Sequence, residues 1–97
     1  MVMTVLEARV AEEQWAALEN VYATSIRQLD PAIVQTFLVH SLSEPAVWRI
    51  MTVWASREAL QAMRESGQTP AGVLMFRSAG AEPELKIYDI ALQAKAS

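Results

Sequence analysis

The chain contains no cysteine, one histidine, one asparagine and three glycines, and each shortage removes a class of chemistry. Without cysteine there are no disulfides, thiolate metal sites or thiol nucleophiles, and a reducing cytoplasm is the natural compartment. One histidine and scattered carboxylates do not assemble a His-rich metal set, so no metal is expected; the pair Glu12-Glu13 reads as a solvated helix start. Gly67, Gly72 and Gly80 are too dispersed to cradle a phosphate, and Ser41, Ser43 and Ser56 lack the Gly-x-Ser-x-Gly setting of a nucleophile. A basic excess is missing as well: 8 Lys and Arg stand against 11 Asp and Glu, for a net charge of -3. Counterion release onto phosphates therefore has no source, and nucleic acid is not an expected partner. The start, Met1 to Val10, is apolar but broken by Thr4, Glu7 and Arg9. It lacks a basic leader and is too short to span a bilayer, so no membrane partner is expected.

What is abundant is apolar surface. At 53% hydrophobic over 97 residues, the chain can bury the core of one domain, 1–97, and has no room for a second. Val2 to Val10 is β-branched or apolar at most positions and predicts a strand covered on both sides. Between Glu12 and Leu29 the residues Trp15, Leu18, Tyr22, Ile26 and Leu29 recur at helical steps, and Asp30-Pro31 stops that helix. Ile33–Leu42 and Val47–Trp54 are extended around the turn Ser43-Glu44-Pro45-Ala46, which predicts a hairpin. Ser56 caps the next helix, with Glu58 in its first turn. That helix falters at Ser66-Gly67, and Thr69-Pro70 reads as a cap followed by proline at the first helical position, restarting it through Ser78. Glu84 to Leu92 is the last strand and 93–97 a frayed tail.

The order strand, helix, strand, strand, broken helix, strand predicts an α+β, ferredoxin-like βαββαβ fold: one antiparallel sheet with its helices on one face. Two helices can cover only one face of such a sheet, yet the central strands are apolar on both. A homodimer through the open sheet face is the simplest cover. An RNA-recognition domain shares this element order, but needs basic neighbours around exposed aromatics, which an acidic chain with Phe37 in an Ile-Val-Leu-rich strand does not supply.

The run Asp30-Pro31-Ala32-Ile33, then Ser43-Glu44-Pro45, then Val53-Trp54-Ala55-Ser56-Arg57-Glu58-Ala59-Leu60 resembles the central stretch of antibiotic biosynthesis monooxygenase domains. The resemblance implies a dimeric α+β barrel with a pocket between helices and sheet, in a family where some members oxidise aromatic polyketides or quinols without a cofactor, others degrade haem, and many have no established activity. It also implies that Trp54 is a pocket tryptophan. Two departures matter. The strand asparagine of such oxygenases has no counterpart, because the only asparagine is Asn20 on the first helix. The histidine that haem degraders take from the second helical region is also missing, since residues 56–80 hold none, so no cofactor is expected.

Candidate site residues follow from both readings. Trp54 either stacks on a planar ligand or plugs the core. His40, the only side chain titrating near neutrality in its unperturbed state, is the candidate base, or else a satisfied polar residue at a hairpin end. The hairpin register is read so that Thr36, Leu38 and His40 share a face with Ile50, Thr52 and Trp54, ringing a pocket with hydroxyls, imidazole and indole. Tyr22 and Tyr88 are either ligand-orienting phenols or core, and Arg77 either holds an enolate oxygen or faces solvent. The two functions in contention are an oxygenase of small aromatic, quinol or polyketide-like molecules and a non-catalytic dimer. The second would have a pocket that is apolar throughout or filled.

Overall fold

The computed structural model describes residues 1–96. Four strands, β1 (Val2–Arg9), β2 (Ile33–His40), β3 (Val47–Trp54) and β4 (Glu84–Asp89), form one antiparallel sheet in the order β2-β3-β1-β4. Three helices, α1 (Trp15–Ser25), α2 (Arg57–Glu65) and α3 (Ala71–Ser78), complete an α+β, ferredoxin-like fold. The sheet is open, with β2 and β4 as its edges.

Sheet parity decides which residues meet the helices. Val2, Thr4, Leu6 and Ala8 of β1 are buried, whereas Met3, Val5 and Glu7 are half-buried. Their partners Trp54, Thr52, Ile50 and Trp48 on β3 are buried with them. One irregularity adjusts β2: its register shifts between Ile33 and Gln35, leaving Val34 as an extra, exposed residue. That bulge lets Ile33 and Thr36, an odd number of residues apart, both face the helices, opposite Trp54 and Thr52.

Several boundaries differ from the sequence expectation, each for a local reason. The span Glu12–Leu29 is one α-helix flanked by 3-10 turns at Glu12–Gln14 and Ile26–Gln28. Ser25 and Thr24 hydroxyls bond the carbonyls of Val21 and Asn20 at its end, and Asp30 accepts the amide of Ala32 to set the turn. Strand β2 stops at His40, not Leu42, because Ser41 accepts the amide of Glu44 and folds the chain over. Strand β4 stops at Asp89, not Leu92: its neighbour β1 runs out, and the last bond is Ile90 N–H to the Met1 carbonyl. Ser56 caps α2 by accepting the amide of Ala59 at 3.0 Å, while α2 ends at Gly67, whose φ of 77° suits a residue without Cβ. Pro70, not Thr69, occupies the cap of α3; no side chain caps it, and the Pro70 carbonyl accepts the amides of Val73 and Leu74.

The interior is divided. One cluster gathers Leu6, Val10, Leu18, Trp48, Ile50, Met75 and Phe76 beneath α1 and α3. A smaller one gathers Val2, Trp54 and Leu60, with Ile33 and Met63 packed on it, beneath α2.

Candidate functional site

Between those two clusters lies a cavity of about 380 Å³ bounded by the sheet below and α1, α2 and α3 above, within the size range of small-molecule sites (roughly 300–1,000 Å³). The apolar stripe of α1 divides along its length. Leu18 is fully buried in the core, whereas Tyr22, Ile26 and Leu29 overhang the cavity. Ile26, Leu29, Leu74, Leu85 and Ile87 all line it and retain 39–53% exposure. So much accessible apolar surface turned toward one concavity is the lining expected of a small-molecule site.

The floor carries a single polar band. Strand register aligns Thr36, Thr52 and Thr4 across β2, β3 and β1. The Tyr22 phenol donates to Thr36 Oγ1 at 3.3 Å, and Thr36 and Thr52 hydroxyls pair at 3.3 Å. From the other side, the Trp54 indole N–H donates to Thr4 Oγ1 at 3.1 Å. Charged side chains reach the cavity only where it meets solvent, at exposed Asp30 and Arg64.

Of the residues singled out in the sequence, the structure brings Trp54, Thr36, Thr52, Ile50 and Tyr22 together. Leu38 shares their face, opposite Ile50, but packs on the core and leaves the cavity wall to others. His40 is on that face too, two rows further along, opposite Trp48. Its ring stacks on Trp48 at 4.0 Å, meets Trp15 edge-on at 4.6 Å, and bonds the Pro45 carbonyl through Nε2. It therefore stands outside the cavity. Tyr88 pairs with Met3, so its side chain emerges on the opposite face of the sheet. Arg77 is engaged elsewhere, in two hydrogen bonds to the Glu82 carboxylate at 2.9 and 3.0 Å. Those bonds hold the Glu82 carboxyl below its usual range and raise Arg77. Among the described residues, the one buried side-chain polar atom without a partner is Trp48 Nε1, within the packed cluster.

Thr4 is the site residue the sequence reading passed over. Its signal was the lone hydroxyl on the helix-facing positions of an otherwise apolar strand. Gly72 is another: a Cβ there would sit 2.6 Å from Leu6 Cδ1, so the first turn of α3 lies directly on the sheet at the cavity edge. In Gly72→Ala the far end of Leu6 is expected to yield and take cavity space. The melting temperature should stay within about 5 °C, since the gain in helix propensity offsets the crowding, while ligand affinity, read by Trp54 fluorescence titration, falls several-fold.

A second hollow of about 600 Å³ lies on the other face, between Met3, Val5 and Met51 and the segment Ile90–Leu92. It is bordered by the Arg49–Glu7 ion pair and has no layer above it. It belongs to the uncovered face of the sheet. Among the described residues, no three His, Cys, Asp or Glu gather as a metal site, and no helix is long and apolar enough to cross a membrane.

Comparison with known proteins agrees with the fold. The antibiotic biosynthesis monooxygenase family model matches residues 1–73. No curated protein matches the sequence. Among solved structures, a variant of MhuD with two manganese protoporphyrin IX molecules per active site is similar at a TM-score of 0.74 and 17% identity, covering 99% of this chain and 100% of that one. A protein of Deinococcus radiodurans described as an antibiotic biosynthesis monooxygenase gives 0.71 and 17%, over 100% and 99% of the two chains. A variant of SnoaB, a cofactor-independent oxygenase from Streptomyces nogalater, gives 0.68 and 17%, over 95% and 94%.

Proposed function

The chain belongs to the antibiotic biosynthesis monooxygenase family, and on that premise we propose that it is a cofactor-independent monooxygenase of a flat phenolic, quinol or polyketide-like substrate. The observation that carries this reading is the cavity beside Trp54: apolar walls, an indole, and one band of hydroxyls across the floor. Such a surface takes a fused-ring molecule edge-in, with its oxygens on the hydroxyls and its carbon face on Leu, Ile and Met side chains. The reaction that fits needs only the substrate and dioxygen. An activated CH₂ between two rings loses its two hydrogens, one oxygen atom becomes the ketone, and the other leaves as water with those hydrogens. The protein's part is to hold the enol or phenol, exclude bulk water, and keep the reacting carbon open to dioxygen.

The likeness to SnoaB supports this reading, while that to MhuD, with its bound manganese protoporphyrin IX, raises a metalloporphyrin as a ligand. The donor set suits iron poorly: His40 is stacked outside the cavity, the walls offer neither imidazole nor thiolate, and the one phenol on them, Tyr22, is engaged with Thr36. No step is assigned to haem. Binding without turnover is the second reading. It is favoured by the position of Asn20, exposed on α1 and remote from the floor, which leaves no carboxamide beside Trp54 from an asparagine.

In this reading the open sheet face is covered by a second copy. Val5, Met51 and Phe37 form one row across β1, β3 and β2, flanked by Met3 and Val53. Phe37 is 43% exposed and Tyr88, on the same face, 50%, an apolar patch of the kind that two-fold dimers bury.

The functional test is oxygen consumption with anthrone-type and quinol substrates. In Trp54→Phe the lost indole hydrogen bond is worth about 0.5–1.5 kcal/mol of stability, so the fold survives. Turnover is expected to fall at least about ten-fold, the equivalent of ~1.4 kcal/mol in the barrier. Unchanged turnover in that variant would sink the proposal.

A further inference from the structure

The polar band is built as two donor chains that converge. On one side Tyr22 donates to Thr36, so the Thr36 proton is free to point at Thr52 Oγ1. The Thr52 hydroxyl has then accepted and its own proton is left over, because a hydroxyl has one donor and two acceptor sites. On the other side Trp54, which can only donate, fills an acceptor site of Thr4 and leaves the Thr4 proton over as well. Thr4 and Thr52 are direct cross-strand partners, which puts their Cβ atoms about 4.5–5.5 Å apart. Both are nine-tenths buried and both line the cavity. Each terminal O–H is polarised by the donor behind it, and the surroundings are apolar, so both are strengthened as donors toward negative charge.

We propose that the Thr4 and Thr52 hydroxyls form a two-donor site for the oxyanion of a bound phenol or enol, holding the ligand as phenolate or enolate. The proposal deepens the reading of the cavity as a substrate site and rests on it. It assigns to two threonines the role that neither Arg77 nor His40 is placed to fill. On ionisation the ligand O–H bond breaks, its electron pair stays on the oxygen between the hydroxyls, and the proton leaves to water at the mouth beside Asp30. The ligand class follows: one ring oxygen able to ionise near neutrality, on a flat apolar body. A methyl ether of the same body gains nothing from the pair.

The test uses alizarin, whose colour reports its ionisation, and its di-O-methyl ether, which has no proton to lose, with the protein's tryptophan fluorescence reporting occupancy. Bound alizarin should ionise at a pH lower by at least about one unit than the free dye, a ten-fold shift in its ionisation constant. Thr4→Val and Thr52→Val should each remove part of the shift and the double variant nearly all, while the ether binds every form alike. Thr52→Ser should restore the shift, and Tyr22→Phe, which removes the head of one chain, should weaken it. Should a valine variant fail to fold, the serine and phenylalanine variants carry the test. A native protein without the shift overturns the proposal, as does a shift that persists in the double valine variant or, where that variant does not fold, one left unchanged by Tyr22→Phe, and so does alizarin that never quenches the tryptophan fluorescence. A shift that behaves as expected in a protein that consumes no oxygen would retain the oxyanion site and remove only the monooxygenase reading.

Discussion

Replacing Phe76 by alanine is expected to cost about 3–5 kcal/mol, the range for deleting a fully buried phenylalanine and leaving a hole. Phe76 is 0% exposed and sits in the larger core cluster with Leu18, Trp48 and Met75. A chain of this length commands only about 5–15 kcal/mol in all, so the loss is a large share. It should lower the melting temperature by roughly 12–40 °C. Phe76 also closes its own turn, its carbonyl accepting the amides of Ala79 and Ala81, so the space cannot collapse easily around the backbone. Differential scanning calorimetry reads the effect; a cost below about 1 kcal/mol would mean that the core is not divided as described. The variant also serves function. Phe76 belongs to α3, which helps roof the cavity, but packs in the core and does not line it, so lost activity there reports unfolding, in contrast to Trp54→Phe.

Met51→Glu carries the second large effect. Met51 is the middle of the apolar row on the open face, flanked by Val5 and Phe37. In a two-fold interface the substitution appears twice, placing two carboxylates in a desolvated patch whose nearest cations are Arg49, already paired with Glu7, and Lys86, on the edge strand beside Val5. Dimerisation is expected to weaken on the order of 100-fold, near 3 kcal/mol. Analytical ultracentrifugation should then find the native protein at twice its 10.7 kDa chain mass and the variant at that mass, with helical content retained. A native protein that sediments as a monomer at micromolar concentration would remove the dimer from the account.

The sequence was most legible where periodicity and turn chemistry agreed. The helix stripe from Trp15 and the Ser56 cap follow from local rules, with the α-helix ending at Ser25, whereas the hairpin parity that unites Thr36, Thr52 and Trp54 comes from the family resemblance, and the structure pairs those residues on one face. What failed were features set by partners distant in sequence. Tyr88 went to the wrong face although Leu85 and Ile87 alternate with Glu84 and Lys86: read on to Leu92, the strand adds Ile90 and Leu92 at the parity of Tyr88 and blurs the pattern, and pairing with Met3 decides which side it shows. Arg77 found Glu82 across a turn that looked like a plain terminator. His40 is on the expected face but two rows away from Thr36, against an indole rather than a ligand. Thr4 escaped notice because a hydroxyl in a strand near the chain start reads as a break in apolarity, and only the β1–β3 register makes it a neighbour of Thr52 and Trp54. The cavity itself is not a sequence feature: it is the gap left where the two core clusters do not meet.

The measurement that bears most directly on the central claim is dioxygen uptake by chelator-treated, cofactor-free protein in the presence of an anthrone. The account predicts one dioxygen consumed per ketone formed, at a rate that falls at least about ten-fold in Trp54→Phe and is unaffected by added metal or flavin. Anthrone that quenches Trp54 yet is recovered unchanged, with no uptake above the buffer rate, would contradict it and leave a binding protein.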